Sequence, residues 1–299
     1  MTEPDLVHFL ARPEAGGPRA AALTKATDAA TALGFRHRVL TAASPSEIPA
    51  VIDEHRAELH RLVIVGGDGL IHFALPALAG TSITAGLVPS GTGNDFARGL
   101  GIGEGHKLPA ARHRSVLRQA ILGDPKSIDL IEGDDGRLAA SVVTAGFSGR
   151  VTARANPMRF PPGQAKYTVA TVLEAARLEP VAVRFTIDGE SVDLDTAFFA
   201  IGNTRYFGGG MAICPDAEED DGLLDLVVVE AVPAFELLRV MPTVFAGRHV
   251  RHPKVKTYRA RSVRVETDEP LWADGEEFGS APVTLAARPG ALAVAQPVG

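Results

Sequence analysis

Two glycine clusters, Gly66-Gly67-Asp68-Gly69 and Gly91-Thr92-Gly93-Asn94-Asp95-Phe96, carry the residue types that could bind a polyphosphate. Glycine lets backbone N–H groups approach phosphate oxygens with no Cβ in the way. Asp68 could hold a metal ion that bridges phosphates, and Thr92 and Asn94 offer a hydroxyl and an amide to a nucleotide. The dense mixture of Asp, Thr and Asn with glycine exceeds what a tight turn needs. Further on, the run Asp216-Ala217-Glu218-Glu219-Asp220-Asp221-Gly222 has the oxygen donors of a hard-cation site. It is not an EF-hand, because Asp221 falls where the loop glycine belongs when the count starts at Asp216. A solvated acidic loop before a strand is the alternative reading of the same run.

The elements that must position these groups are legible nearby. Leu62-Val63-Ile64-Val65 reads as a buried parallel strand ending in the first cluster, and Ile83 to Val88 as a strand leading through Pro89-Ser90 into the second. Ligands of open α/β sheets bind at the carboxyl ends of strands, where both clusters lie. Upstream, strands are expected at Leu6–Leu10 and Phe35–Leu40. Helices are expected at Arg19–Leu33 and at Ser46–Leu59, with Ser44 or Ser46 as cap, then near Phe73–Leu78 and Ser115–Leu122. This is a parallel sheet covered by helices. Past Asp129 short β-branched runs take over, at Ala140–Thr144, Val181–Ile187, Ala197–Ile201, Leu224–Val229, Ser262–Glu266 and Val283–Leu285, with a turn at Asp188-Gly189. One helix near Tyr167–Ala176 interrupts them. The expected fold class is therefore an α/β N-terminal domain with a parallel sheet, followed by a mostly antiparallel β-sandwich. Boundaries fall at 1–127 and 128–287, with a tail at 288–299 that packs back on the first domain, and the site is expected in the interdomain cleft.

Composition and missing motifs narrow the function. A chain of 299 residues with net charge -6 argues against a general nucleic-acid partner. The single cysteine, Cys214, permits no intrachain disulfide and fits a reducing cytoplasm as a small buried apolar residue. No signal-type leader or long apolar span is read, so any membrane contact is expected to be peripheral. The P-loop, the complete G-x-G-x-x-G and the protein-kinase set are absent, and the nine histidines show no zinc spacing. Gly146-Phe147-Ser148-Gly149 is no nucleophile elbow, because Arg150 stands in place of the second glycine. Trp272 is read as core and His72 as a helix-surface residue or a phosphate neighbour.

With these residues in view, the chain resembles the diacylglycerol kinase catalytic-domain family, which includes bacterial lipid kinases and the sphingosine kinases. Four blocks carry the resemblance in the family's order. They are Val65 to Gly69, Pro89 to Arg98, Gly202-Asn203 through Gly208-Gly209-Gly210-Met211 to Asp225, and Asp274-Gly275-Glu276. The resemblance implies a fold of the NAD kinase and diacylglycerol kinase type, ATP and Mg2+ as cofactors, and a lipid at a membrane surface as acceptor. Gly66, Gly67, Asp68, Gly69, Leu70, Gly91, Thr92, Gly93, Asn94, Asp95 and Thr41 would then contact the nucleotide. Glu276 matches the family's proposed general base, with burial expected to raise its pKa, and Asp129 matches an aspartate working with it. A structural magnesium maps to Asp221 with main-chain oxygens near Glu218 and Leu223, and Asp216 belongs to the same acidic set.

Departures from the family pattern keep alternatives open. Leu70 and Phe73 replace a hydroxyl and an acid, though Leu70 with His72 resembles the sphingosine-kinase branch. Arg12-Pro13 replaces Asn-Pro, with Gly16-Gly17 retained, and Ser148 replaces an aspartate. Diacylglycerol is the leading acceptor, ahead of a sphingoid-type lipid. A soluble small-molecule kinase of the NAD-kinase type and an inactive nucleotide- or lipid-binding regulator are the rivals. Oligomeric state stays open, a homodimer included. Arg248 to Arg264 holds seven Lys/Arg and no acid, read either as a face for anionic headgroups or as a solvated strand pair.

Overall fold

The computed structural model describes residues 6–12, 17–103, 110–161, 165–175, 177 and 179–296. Pro13, Gly16 and Ala176, named above, and the last three residues of the expected tail lie outside them. The chain forms two compact units, one running to Asp129 and resuming at Pro289, the other spanning Leu130–Arg288.

In the first unit, strands β1 (Leu6–Ala11), β2 (Arg36–Leu40), β3 (Arg61–Gly66) and β4 (Thr84–Pro89) alternate with helices α1 (Gly17–Ala32), α2 (Ile48–Glu54) and α3 (Asp68–Leu78). The short helix α4 (Asp95–Gly99) and α5 (Ala110–Leu122) follow, then β5 (Asp124–Gly133) leads out. The order is β2, β1, β3, β4 and the returning end of the last strand, every pair parallel. Val63 and Val65 meet Ala26, Ala30 and Leu117 of α1 and α5, while their neighbours Leu62 and Ile64 are buried on the opposite face. Burial on both faces explains the unbroken apolar run of β3. Gly86 in β4 is a close-approach position, since a Cβ there would fall on the Ala120 carbonyl of α5.

The helix expected over 46–59 is broken. Only Ile48–Glu54 is α-helical, between two 3-10 turns at Pro45–Glu47 and Arg56–Glu58. Pro45 and Pro49 lack the N–H that a continuous helix requires. Ser44 serves the start by donating to Glu47 Oε1 at 2.9 Å, and Glu47 Oε2 accepts the Ala43 N–H at 3.2 Å.

The second unit is built from β6 (Leu138–Ala139), β7 (Val142–Gly146), β8 (Val181–Ile187), β9 (Glu190–Gly202), β10 (Tyr206–Phe207), β11 (Met211–Ala212) and β12 (Leu224–Glu230). It continues with β13 (Val255–Ala260), β14 (Ser262–Glu266), β15 (Pro270–Ala273), β16 (Glu276–Ser280) and β17 (Val283–Gln296), whose end belongs to the first unit. Pairing inside this unit is antiparallel, with the 13-residue β9 joining β8, β7 and β12. Along β9, Phe199 and Ile201 point into the sandwich core beside Phe185 and Val263, while Phe198 and Ala200 face the helices. The Phe185 and Phe199 rings meet edge to face at 5.1 Å.

Among the described residues three α-helices lie here instead of the one expected: α6 (Phe147–Ala155), α7 (Ala165–Ala175) and α8 (Ala234–Val244). Two glycine-, proline- or β-branched-containing segments, FSGRVTARA and AFELLRVMPTV, are helical because their apolar stripes pack on the outer face of the sheet. Cys214 is fully buried, which pushes its thiol well up, as a core cysteine should be. Trp272 is half-buried, under Gly149 of α6.

Candidate active site

The glycine clusters meet at one edge of the first unit's sheet. In the β3–β4 register Gly66 pairs with Pro89, so both loops leave at the same level, and Ser90 donates to the Gly66 carbonyl at 2.8 Å. The loops touch backbone to backbone. A Cβ on Gly91 would lie 2.5 Å from Gly67 Cα, and one on Gly67 would lie 2.8 Å from Gly91 Cα. Only glycine fits at either position. Asn94 adopts the left-handed conformation (φ 53°), and its amide closes a ring with Gly91, accepting from its N–H and donating to its carbonyl, both at 2.9 Å. At 3 % exposure, that amide shapes the loop and does not face outward as expected. Thr92, in contrast, is exposed.

Asp68, at the start of α3, accepts the Phe96 N–H at 3.1 Å and so caps α4. A Cβ on Gly93 would meet Asp68 Oδ2 at 3.0 Å and Asp95 Oδ2 at 3.2 Å, which puts two carboxylates against one glycine. Carboxylate oxygens are the donors that a magnesium ion takes, and Asp95 also lies 4.0 Å from the Arg98 guanidinium. Leu70 differs from its expected role. It is buried, with its Cδ2 in the space a Gly66 side chain would fill, so it packs against the strand end. Thr41 is exposed just past β2, on the same carboxyl edge and two strands from β3. His72 is half-buried and stacks edge-on against Phe73 at 5.4 Å.

In the second unit, Asp274-Gly275 forms a two-residue hairpin between β15 and β16, both residues at positive φ (54° and 91°), and presents half-buried Glu276 at the start of β16. The Asp274 carboxylate accepts the Ala140 and Ser141 N–H groups at 3.0 and 3.1 Å. On the same two residues, Asn203 donates its backbone N–H to the Ser141 carbonyl at 2.9 Å and its amide to the Ala140 carbonyl at 3.4 Å. Blocks more than a domain's strand apart in sequence therefore clasp one dipeptide. Asn156, the C-cap of α6, donates to the Gly275 carbonyl at 3.3 Å, and the Tyr167 hydroxyl donates to Asn156 Oδ1 at 3.3 Å. Burial, then the Glu276 charge, raises the Tyr167 pKa. No sequence motif marks Asn156 or Tyr167; both are missed by reading the chain.

The acidic loop is less open to an ion than its composition suggests. Asp221 Oδ1 accepts the Leu223 N–H at 2.9 Å, and Asp221 pairs with the Arg259 guanidinium of β13, which also lies 3.4 Å from Asp225. Asp216 and Glu218 are exposed, and no three acids, histidines or cysteines converge among the described residues. Burial pushes the Asp225 carboxyl up to about 6, with Arg259 opposing and Asp221 adding to the rise. Asp129 is also engaged: at 2 % exposure it accepts the Gly290 N–H at 2.7 Å and fastens β5 to β17.

Residues 7–132, which include both glycine loops, match a known family model, the diacylglycerol kinase catalytic domain. A second, the YegS C-terminal NAD kinase beta sandwich-like domain, matches 141–296. The chain belongs to the diacylglycerol kinase catalytic-domain family. It is 39 % identical over 242 residues to a diacylglycerol kinase of Mycobacterium tuberculosis, covering 79 % of this chain and 76 % of that protein. A probable lipid kinase YegS-like protein of Pseudomonas putida is 30 % identical over 245 residues, covering 80 % and 77 %. In fold it is similar to a putative diacylglycerol kinase from Bacillus anthracis, with TM-score 0.78, 21 % identity and 97 % and 96 % of the two chains covered. As a member of the family, the protein is an ATP-dependent lipid kinase, a phosphotransferase. The family's first two blocks form the glycine cradle, its third and fourth the clasp around Ala140-Ser141.

Proposed function

We propose that the protein transfers the γ-phosphoryl group of ATP to the free hydroxyl of diacylglycerol, releasing ADP and phosphatidic acid. The observation that carries this reading is the pair of loops held Gly67 against Gly91 with Asp68 and Asp95 at Gly93. Backbone N–H groups there receive phosphate oxygens, Thr92 offers its hydroxyl, and Asn94 keeps the second loop in shape. Asp68 and Asp95 would hold magnesium, which would supply charge neutralisation at the phosphates. Glu276 takes the proton of the attacking hydroxyl as the new O–P bond forms and the bond to the ADP oxygen breaks. Asp274, Asn156 and Tyr167 keep the Glu276 turn in place. Asp129 is assigned to fastening β17, and its carboxylate has no step of its own. A structural magnesium at Asp221, Glu218 and Leu223 would have to displace Arg259, so we assign that guanidinium as the resident cation of the loop. The domains of this reading are a nucleotide-binding 1–127 and a lipid-binding 128–287, working from the cytoplasmic side of a membrane.

Labelled γ-phosphate transfer tests this, with magnesium and mixed micelles of diacylglycerol, monoacylglycerol, sphingosine or ceramide, and with NAD as a soluble acceptor. Label in diacylglycerol that disappears in Glu276→Gln, with ATP still bound, is the expected result. Label in NAD alone, or in none of them, would overturn it.

A further inference from the structure

A surface helix normally turns one apolar stripe inward and a polar one outward. Helix α8 does not. Leu237 and Val244 are buried against the outer face of the sheet, and with Val240 and Met241 they wall an apolar groove over Phe198 and Val229. The opposite face carries Phe235 (72 % exposed), Leu238 (39 %) and Phe245 (59 %), with Pro242 also exposed between them. Spaced at 235, 238, 242 and 245, these residues form one stripe. Helix α7 packs beside α8 and leaves Val169 and Leu173 exposed. Exposed apolar area concentrated in this way marks an interaction surface.

Charge decides what the surface fits. The basic stretch from Arg248 to Arg264 divides once side chains are placed. Lys254 and Lys256 pair with Glu230, Arg259 with Asp221 and Asp225, and Arg264 with Glu266. Arg248 and Arg251, on the 3-10 turn directly after α8, stay exposed, as does Arg239 within the stripe itself. The one acid of this segment, Glu236, is half-buried and faces His252 at 3.2 Å. Exposed phenyl rings interleaved with arginine and without an exposed carboxylate match the boundary of a bilayer, rings among acyl chains and guanidinium groups at anionic phosphates. We propose that α8 and the turn after it are the surface by which this protein docks on anionic lipid bilayers. This rests on, and deepens, the lipid-kinase reading, since an acceptor with long acyl chains must be met at a membrane.

Flotation of the whole protein with vesicles containing no acceptor alcohol tests the surface apart from the chemistry. Vesicles of phosphatidylcholine with phosphatidylglycerol should carry the protein, and phosphatidylcholine alone should carry far less. F235S/F245S should lower partitioning about 30-fold, from losing partial burial of two rings. R239Q/R248Q/R251Q should lower it about fivefold per arginine on anionic vesicles, with the effect fading at high salt. Turnover of both variants on a short-chain, monomerically dispersed diacylglycerol should match wild type. Unchanged flotation of both variants overturns the inference. So does a shift from dimer to monomer in F235S/F245S with vesicle binding intact, which would make the face a contact between copies. Vesicle binding that depends on these residues in a protein without kinase activity would instead overturn the kinase reading and leave the surface standing.

Discussion

Gly91→Ala is the sharpest perturbation of the cradle. The new Cβ would start 2.5 Å from Gly67 Cα and 3.0 Å from Asn94 Oδ1. An unstrained carbon–carbon contact sits near 3.5–4 Å, so the loops must part by about 1 Å. That movement also breaks the ring between Asn94 and Gly91. The strain should cost about 1–3 kcal/mol of stability. A displacement of this size in a positioning element costs about 100-fold in turnover, and ATP affinity should fall with it. Gly86→Ala separates the two effects. Its Cβ also meets backbone, at Ala120 on α5, but away from the cradle. The pair should therefore lose comparable stability in urea unfolding, while isothermal titration shows ATP binding weakened only in Gly91→Ala. Wild-type ATP affinity in a folded Gly91→Ala protein would refute the reasoning, because the cradle would then not depend on the contact.

Other perturbations test the second unit. Asp274→Ala leaves the Ala140 and Ser141 N–H groups without their acceptor; we expect turnover to drop roughly 100-fold with ATP affinity unchanged, and an equal loss of ATP binding would count against it. Asp225 has its native pKa raised to about 6 from an unfolded value near 3.8, so the native state holds a proton that the unfolded chain has released between those values. Its cost is absent below pH 4, grows as pH rises through 6 and is full above it, about 1–3 kcal/mol. The stability advantage of Asp225→Asn over wild type in urea should follow that curve, and an advantage independent of pH would contradict it. Arg259→Ala exposes Asp221 to cations, so magnesium should raise its melting temperature while leaving the wild-type value little changed; an equal rise in both would place an ion at the loop despite Arg259.

The strand tips and glycine loops were legible because their causes are local. An apolar run followed by Gly-Gly-Asp-Gly needs no distant partner to be read as a buried strand and an anion-binding turn. The Asp274-Gly275-Glu276 block was legible as a turn, but what holds that turn was not. Asp274, Asn203, Asn156 and Tyr167 come from four separate segments, and their hydrogen bonds exist only once β7, β9, β15 and the helices are assembled. Helices α6 and α8 were hidden because tertiary packing, and not propensity, stabilises them.

The same division explains the revised side chains. Sequence determined residue types: that Asn94 carries an amide, Leu70 no hydroxyl, and residues 216–221 many carboxylates. Only the tertiary structure decided which way each one turns. Asn94 is spent on Gly91, Leu70 fills the space beside Gly66, and Asp221 meets a guanidinium that arrives from β13. Asp221 meets a partner 38 residues away that no local pattern encodes, whereas Asn94 and Leu70 meet near neighbours, and it is the packing of Gly67 on Gly91 that fixes how those loops turn.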